Sequence, residues 1–391
     1  MIRTSHYLFA ALCLGSLFAC SRQFTDSYIV PKWCFAVFML FIVLAYEAVN
    51  ILFYRQNEQK DTRISVYGFI IVISCFLQAM FGVVQFFGFF QISTTLWVTG
   101  SFDNPAGFAA CLCAGFPFVG FLLSDSNKYI RYVGGLIGFV IVIAVILSQS
   151  RAGIMSIAFI CFILLNMKFF HKRWVKYLSL LCFALLLSGC YWMKKDSADG
   201  RLLIWRCSVS MVKDAPWLGH GIGSFEARYM DYQADYFRQY GLNRYSMLAD
   251  NVKHPFNEYL GVLLNFGFVG LLMILALITL LIYCYKKHPC AEKRIAFCSL
   301  ISIGVFSFFS YTFTYPFTWI VTFLCIIILT KEYIAKVFTC PIIKNTVCIF
   351  ILLCSFWGIY NLVKWQKRNG EIHPGLHFVG HPAKLFRLMQ S

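Results

Sequence analysis

The sequence predicts an all-α polytopic membrane protein with about eleven transmembrane helices and one large polar loop on the outer side. Two observations lead to this prediction. The chain has 391 residues, of which 60% are hydrophobic and only 13% are charged, and its mean hydropathy is +0.70. A soluble domain of that size cannot bury so much apolar surface. The apolar residues also fall into runs of about 20, which matches a bilayer, and continuous apolar runs cross membranes as helices.

Eleven apolar runs define the predicted spans. In chain order they are 7–20, 33–54, 64–90, 105–123, 132–148, 152–170, 177–193, 256–285, 295–313, 316–334 and 345–363. The first run follows Arg3 and also fits a signal-like segment. These runs divide the chain into four parts: N-terminal transmembrane helices at 1–193, a large loop at 194–255, C-terminal transmembrane helices at 256–363 and a short basic tail at 364–391.

The distribution of basic residues predicts the orientation of the spans. With the N-terminus in the cytoplasm, the inner links carry 17 Lys and Arg residues and the short outer links carry three. Cytoplasmic links are enriched in Lys and Arg, whereas long loops do not follow that rule. We therefore expect the loop 194–255 to lie outside, in the periplasm of a Gram-negative cell, together with the tail from Lys364.

The composition excludes several classes of partner. The formal charge of +17 would suit nucleic acid, but the basic residues lie in short links, where they set membrane orientation. A polyanionic partner of this chain would be a lipid phosphate. The 17 Cys residues lie mostly inside the spans, where they act as small apolar residues. No loop carries Cys and His at the spacing of a zinc site, so no metal is expected.

The large loop concentrates the polar residues of the chain. Residues 194–260 hold nine of the 34 basic and eight of the 17 acidic residues. Ser197 or Asp199 is placed to cap a helix over about 201–213, which Pro216 ends. A second helix is predicted over 224–240, with aromatic residues at helical spacing: Phe225, Tyr229, Tyr232, Tyr236 and Tyr240. This stripe either packs on the membrane surface or the spans, or forms a wall for a sugar chain.

Arg151 and Arg201 are candidate contacts for an anion. Arg151 lies at the outer end of a span, where it either snorkels to the interface or binds a partner. Arg201 is expected in the first turn of its helix, where free N–H groups and the helix dipole favour negative charge. Because a guanidinium binds phosphate through two hydrogen bonds, the two residues indicate a pyrophosphate site.

His254 is the candidate for proton transfer. It stands where the large loop re-enters the membrane, and Pro255 after it suits the first position of a helix. An imidazole at this place either makes a structural hydrogen bond or takes a proton from a hydroxyl. His220 lies between glycines, in residues 219–223, and suits a turn; those glycines permit a close approach of the backbone.

Six short motifs follow one another in the chain. They are Gly100-Ser101-Phe102-Asp103-Asn104-Pro105, Ser150-Arg151-Ala152-Gly153, Gly200-Arg201 with Trp205, 216–225 (PWLGHGIGSF), 254–260 (HPFNEYL) and 265–272 (NFGFVGLL). Their order, together with the large outer loop, resembles the O-antigen ligase superfamily over about residues 60–335. That superfamily also contains O-antigen polymerases and bacterial protein O-oligosaccharyltransferases.

The resemblance implies a GT-C-like glycosyltransferase of the bacterial inner membrane that is inverting and needs neither a metal nor another cofactor. Such enzymes take a glycan from undecaprenyl diphosphate and pass it to an acceptor hydroxyl on the periplasmic side, in lipopolysaccharide or glycoconjugate biosynthesis. By this resemblance, Arg151 and Arg201 hold the diphosphate and His254 activates the acceptor. The chain departs from the pattern at Phe256, where many relatives carry a second His. Its tail is also short, where some relatives carry a soluble repeat domain.

The remaining residues expected at the substrate are Asn104, Trp205, Arg206, His220, Gly221, Gly223, Asn257 and Glu258. The expected partners are the lipid-linked glycan donor, membrane lipid, and an acceptor that is lipid A core, a glycan or a protein hydroxyl. The choice of acceptor separates a ligase from a polymerase or a protein O-oligosaccharyltransferase. A flippase or transporter is the alternative of another class. It predicts mid-span ionisable residues and broken helices, and Glu47 is the only acidic residue deep in a predicted span.

Overall fold

Helices form the regular structure of the protein. The computed structural model describes residues 2–24, 26–53, 60–89, 98–168, 195–241 and 243–370, with scattered residues between 174 and 192. The helices are α1 (Ile2–Phe18), α2 (Ile29–Phe53), α3 (Lys60–Phe86), α4 (Pro105–Gly115), α5 (Val119–Leu123), α6 (Lys128–Leu147), α7 (Arg151–Lys168), α8 (Lys195–Asp214), α9 (Ser224–Tyr240), α10 (Glu258–Lys287), α11 (Ala291–Phe309), α12 (Pro316–Val337) and α13 (Pro341–Gly370). Short 3-10 helices lie at Phe116–Phe118, Ser246–Leu248 and Thr312–Thr314. Within these ranges there is no strand, which confirms the all-α class.

In the part of the chain that the structure describes, six candidate spans are long and apolar enough to cross a membrane. They are Ile29–Phe53, Ile64–Phe86, Pro105–Leu123, Lys128–Leu147, Glu258–Lys287 and Pro341–Leu362. Thr4–Phe18 and Arg151–Asn166 are apolar but shorter. The fold is therefore that of a multi-pass helical membrane protein, and the count of eleven spans stays a prediction. The predicted span 177–193 falls where only scattered residues are described, and most of the tail, 371–391, lies outside the described residues.

Two helix starts differ from the sequence expectation. α8 begins at Lys195, upstream of Ser197 and Asp199, so the prediction that either residue caps it is wrong. Arg201 consequently lies in the second turn of α8, away from the free N–H groups of the helix end. α10 begins at Glu258 rather than at Pro255. α9 spans Ser224–Tyr240, as predicted.

The first compact unit consists of Met1–Gln149, His288–Leu300 and Thr314–Ser391. In it α2 packs against α1 and α13, and α3 packs against α6. Two ion pairs join the start of α11 to the end of α12: Lys293 to Glu332 at 2.7 Å and Lys331 to Glu292 at 2.8 Å. Both segments belong to the links that the charge distribution assigns to the cytoplasm.

The second compact unit consists of Ser150–Lys287 and Ile301–Phe313. Its core is formed by buried residues of α8, α9, the following turn and α10: Leu203, Ile204, Cys207, Met211, Phe225, Tyr229, Tyr245 and Leu264. Phe225 and Tyr229 begin the predicted aromatic stripe, and their rings stack 4.9 Å apart inside this core. Tyr240, at the other end of the stripe, is 61% exposed. The aromatic stripe is therefore buried at the start of α9 and exposed at its end.

α10 is interrupted in the second unit, although the sequence predicts one continuous span over 256–285. Gly267 has φ 61° and ψ −158°, which is not helical. Residues 216–221 pair with the interrupted backbone through four hydrogen bonds: Phe268 N–H to Pro216 O at 2.8 Å, Val269 N–H to Trp217 O at 3.2 Å, His220 N–H to Leu264 O at 2.7 Å and Gly221 N–H to Asn265 O at 3.1 Å. Backbone groups freed by a break in an apolar helix need such partners.

Glycine is required on both sides of this contact. A Cβ atom added at Gly219 would lie 2.6 Å from the carbonyl carbon of Asn265, and one added at Gly267 would lie 2.3 Å from that of Trp217. Both glycines also have positive φ, 68° and 61°. The motifs at 216–225 and 265–272 are thus two halves of one backbone-to-backbone contact.

Candidate functional site

Arg151 and Arg201 lie at one face of α8 in the second unit. Arg151 is the first residue of α7, and its Nη2 donates to Ser197 Oγ at 2.8 Å. Ser197 precedes Arg201 by four residues on α8, and side chains at that spacing are neighbours on a helix. Arg201 donates from Nη1 to the carbonyl oxygen of Phe309 at 2.8 Å. The structure therefore brings the two predicted anion contacts together.

Burial and a nearby positive charge disfavour the protonated form of Arg201 relative to a solvated arginine. Burial, and then the nearby charge of Arg151, lower the pKa of Arg201 to about 10, although Tyr311 acts in the opposite direction. A pKa of about 10 still leaves Arg201 protonated at neutral pH. An anion bound beside the two guanidiniums would offset both burial and repulsion, and a diphosphate offers oxygens for bidentate hydrogen bonds.

His254 is linked to Arg201 through two aromatic rings. The His254 ring stacks on that of Tyr311, with centroids 4.7 Å apart and planes 24° apart. Phe256 packs edge-on against Tyr311 at 5.3 Å. The guanidinium carbon of Arg201 lies over the Phe256 ring, 5.1 Å from its centroid. Phe256 thus lies between Arg201 and the ring of Tyr311.

The backbone from His254 to Asn257 is held in an uncommon conformation. Phe256 has φ 52°, which is rare for a bulky residue. The Trp205 indole N–H donates to the carbonyl oxygen of Pro255 at 2.9 Å. Asn257 Oδ1 accepts the N–H of Leu260 at 3.0 Å, so Asn257 caps α10. Such conformations persist only where the surroundings enforce them, and they concentrate at functional sites.

The motifs that contain Arg151, Arg201 and His254 lie in one region of the chain, and that region matches a known protein family. Residues 136–275 match the family model described as O-antigen ligase. This match confirms the resemblance to the O-antigen ligase superfamily. The O-antigen ligase region, as we call 136–275, contains Arg151, Arg201 and His254. It supports glycan transfer of the ligase or polymerase kind, with a lipid-linked glycan donor and a glycan or lipid acceptor. No curated protein matches the chain.

A segment outside the O-antigen ligase region, 309–313, also contributes to the candidate site. The sequence did not predict this contribution. Residues 309–313 supply the carbonyl oxygen of Phe309 to Arg201 and the ring of Tyr311 to His254. The Phe313 N–H donates to Glu258 Oε1 at 2.8 Å. The sequence places these residues inside a predicted span, 295–313, whereas α11 ends at Phe309. The signal available was the polar and aromatic run from Ser310 to Tyr315, which suits a link better than a span.

His220 has the contacts of a structural residue. Arg228 Nη1 lies 2.9 Å from its Nδ1, and the carbonyl oxygen of Met211 lies 2.8 Å from its Nε2. Because a guanidinium only donates, Nδ1 accepts and Nε2 carries the proton. The ring ties α8 to α9, while Gly221 bonds to α10 and Gly223 directly precedes α9.

Arg206 and Asn104 have other hydrogen-bond partners than Arg151, Arg201 and His254. Arg206 is exposed on α8, and its Nη1 donates to the Tyr236 hydroxyl at 3.4 Å. Asn104 belongs to the first unit, where its Oδ1 accepts the Gly107 N–H at 2.9 Å and caps α4. Its Nδ2 donates to the Tyr315 hydroxyl at 3.0 Å. These contacts give Asn104 a structural role, and its contact with substrate stays a prediction.

Proposed function

We propose that the protein transfers a glycan from undecaprenyl diphosphate to an acceptor hydroxyl on the periplasmic face of the inner membrane. The observation that carries the proposal is the convergence of Arg151, Arg201 and His254 within one compact unit. The two guanidiniums suit the diphosphate of the donor, and the imidazole suits the hydroxyl of the acceptor. The family match supports the same class of reaction.

The reaction is a single displacement at the anomeric carbon of the donor. The acceptor oxygen forms its bond to that carbon while the bond to the diphosphate oxygen breaks. His254 takes the proton of the acceptor hydroxyl, and Arg151 and Arg201 stabilise the charge that develops on the leaving diphosphate. Attack opposite the leaving group inverts the anomeric configuration. Since diphosphate is already a good leaving group, positioning and charge stabilisation supply much of the rate.

A flippase or transporter would explain the break in α10, because discontinuous helices are typical of carriers. The break nevertheless differs from a transport site in its contacts. Its backbone N–H and C=O groups hydrogen-bond to residues 216–221 of the same chain. In the first unit, Glu47 accepts a hydrogen bond from the Ser5 hydroxyl, which lies 2.6 Å from that of Tyr67. Hydrogen bonds within the protein therefore account for the break in α10 and for the position of Glu47. Neither feature requires a transported ligand.

A purified transfer assay tests the proposal. The protein in lipid nanodiscs is supplied with an undecaprenyl-diphosphate-linked glycan and with lipid A core, an oligosaccharide or a Ser/Thr peptide as acceptor. We expect release of undecaprenyl diphosphate together with a glycosylated acceptor of inverted anomeric configuration, at a rate that EDTA leaves unchanged. Failure to release undecaprenyl diphosphate with all three acceptors would contradict the proposal. Analysis of lipopolysaccharide, capsule and glycoproteins after deletion in the native host identifies the acceptor.

A further inference from the structure

A second set of arginine and aromatic side chains lies between α8 and α9, apart from the contacts of Arg201. We call it the arginine–tyrosine surface and define it by Arg206, Tyr236, Tyr240, Arg244 and Tyr245. Arg206 follows Arg201 by five residues, which places it about 7.5 Å further along α8 and on a different face of the helix. Both sets belong to the second compact unit.

The two arginines of this surface share one aromatic ring. The guanidinium carbon of Arg206 lies 5.2 Å from the ring centroid of Tyr245, and that of Arg244 lies 4.7 Å from it. Arg206 also donates to the Tyr236 hydroxyl at 3.4 Å. The hydrogen bond to Tyr236 and then the charge of Tyr245 raise the pKa of Arg206, although the charge of Arg244 acts in the opposite direction. Two positive charges therefore lie beside one buried ring, where they attract an anionic ligand.

The inner side of the arginine–tyrosine surface is held by the core, whereas its two arginines are exposed to solvent. Tyr245 is only 3% exposed and belongs to the core of the second unit, whereas Arg206 and Arg244 are exposed. Tyr236 and Tyr240 lie with ring centroids 4.9 Å apart, and Tyr240 is exposed. Binding groups that are already positioned lose less side-chain entropy when a ligand arrives.

We propose that the arginine–tyrosine surface binds an acidic saccharide, a sugar chain that carries carboxylate or phosphate groups. The guanidiniums of Arg206 and Arg244 bind the acidic groups through charge-assisted hydrogen bonds. The exposed face of Tyr240 packs against the apolar face of a sugar ring. That this saccharide is part of the donor or acceptor glycan rests on the proposed function. The binding of the saccharide to the surface does not depend on the proposed function.

The charge of the neighbouring helix argues against the headgroups of anionic lipids as the ligand. Recognition of an anionic membrane surface uses clusters of Lys and Arg. α9 carries three acidic residues, Glu226, Asp231 and Asp235, and two basic residues, Arg228 and Arg238, so its net charge is −1. The basic residues of the surface are thus two neighbouring arginines set among tyrosines, which suits a ligand with few charges and with sugar rings beside them.

Calorimetric titration of the full chain in nanodiscs of zwitterionic lipid tests this proposal. The probe is trigalacturonic acid, and neutral maltotriose is the comparison. We expect saturable binding of trigalacturonic acid only, weakened about tenfold or more by Arg206→Ala or Arg244→Ala, since each removes hydrogen bonds to a charged group. Arg206→Lys should weaken binding less than Arg206→Ala. Arg238→Ala, which removes an exposed arginine of α9 paired with Asp235, should bind like the wild type.

The proposal would be overturned by no saturable binding of trigalacturonic acid, by equal binding of maltotriose, or by the same loss in Arg238→Ala. Loss of copurified phosphatidylglycerol from Arg206→Ala, with saccharide binding unchanged, would also overturn it and assign the surface to lipid. Thermal unfolding of each variant confirms that the fold is kept. Arg201→Ala separates the two proposals, because it should stop transfer and leave trigalacturonic acid binding intact. If Arg201→Ala transfers normally while Arg206→Ala loses saccharide binding, only the proposed function fails.

Discussion

At the scale of single residues, Arg151 and Arg201 are predicted anion contacts that lie at one face of α8. The sequence singles them out as anion contacts, and in the structure Arg151 donates to Ser197, which lies four residues before Arg201 on α8. The argument from a helix N-terminus is nevertheless wrong for Arg201, because α8 begins six residues earlier, at Lys195. The remaining support is that the two cations lie near each other. Burial and then the charge of Arg151 lower the pKa of Arg201. Local pattern singles out the two arginines as candidates, but it does not predict the contacts that place them.

A pyrophosphate-binding measurement tests the arginine pair without any transfer. Because burial and the charge of Arg151 lower the pKa of Arg201 in the folded protein, an anion that binds there stabilises the fold. We expect inorganic pyrophosphate at about tenfold excess over its Kd to raise the Tm by a few degrees. The shift should vanish in Arg201→Ala and Arg151→Ala, persist in part in Arg201→Lys, and be unchanged in Arg238→Ala. Equal shifts in the wild type and both alanine variants would remove the diphosphate site from the account.

Tyr311 belongs to the segment 309–313, which the sequence did not indicate as part of the site. Its ring orients the His254 ring by stacking, so we expect Tyr311→Phe to keep most of the transfer rate. Tyr311→Ala should lower kcat by about 2- to 12-fold, which corresponds to the 0.5–1.5 kcal/mol of an aromatic pair. The KM for the donor should stay the same, because the arginines remain. A purely structural role would instead predict a lower Tm with kcat unchanged among the folded molecules.

At the scale of elements, α9 agrees with its predicted bounds, whereas α10 contains a break that local pattern cannot show. Apolar periodicity reads 256–285 as one span, because the cause of the break is not local. The cause is the backbone of residues 216–221, which lies against Gly267. The sequence shows the glycines of both motifs, but it does not show that the two motifs contact each other.

Alanine substitutions test this contact. We expect Gly219→Ala and Gly267→Ala each to lower the free energy of unfolding by at least about 2 kcal/mol, because the new methyl group overpacks the contact and the φ value is strained. Gly200→Ala is the matched control, since it lies inside α8 with nothing within 4 Å of its added Cβ. Its Tm should equal or exceed that of the wild type. Thermal unfolding in detergent measures all three, and unchanged melting of the Gly267→Ala variant would contradict the contact.

At the scale of the whole molecule, composition alone predicts a multi-pass helical membrane protein, because 60% hydrophobic residues in long runs leave no other class. The number of spans is harder to predict. α11 and α12 carry charged residues near their ends, and two of the apolar helices are short. The ion pairs of Lys293 with Glu332 and of Lys331 with Glu292 fit the orientation in which both segments lie in the cytoplasm.

Reporter fusions test this orientation. Fusions within 194–255 should be active as periplasmic reporters, because the large loop is predicted outside. Fusions within 286–294 and 331–344 should be active only as cytoplasmic reporters, since these links hold much of the basic charge. If the large loop and the link 286–294 report the same side, the eleven-span arrangement is wrong.

The kinetics of His254→Ala test the central claim most directly. An acceptor hydroxyl needs a base while its oxygen bonds to the sugar, and such help is worth about 10²- to 10⁴-fold. With purified protein and a lipid-linked donor, we therefore expect His254→Ala to lower kcat by about that factor while donor binding stays unchanged. The wild-type rate should fall as the pH is lowered and the imidazole gains a proton. His220→Ala should lose less, because His220 holds α8 to α9. Transfer by His254→Ala at the wild-type rate would contradict the account, because the base would then be another residue.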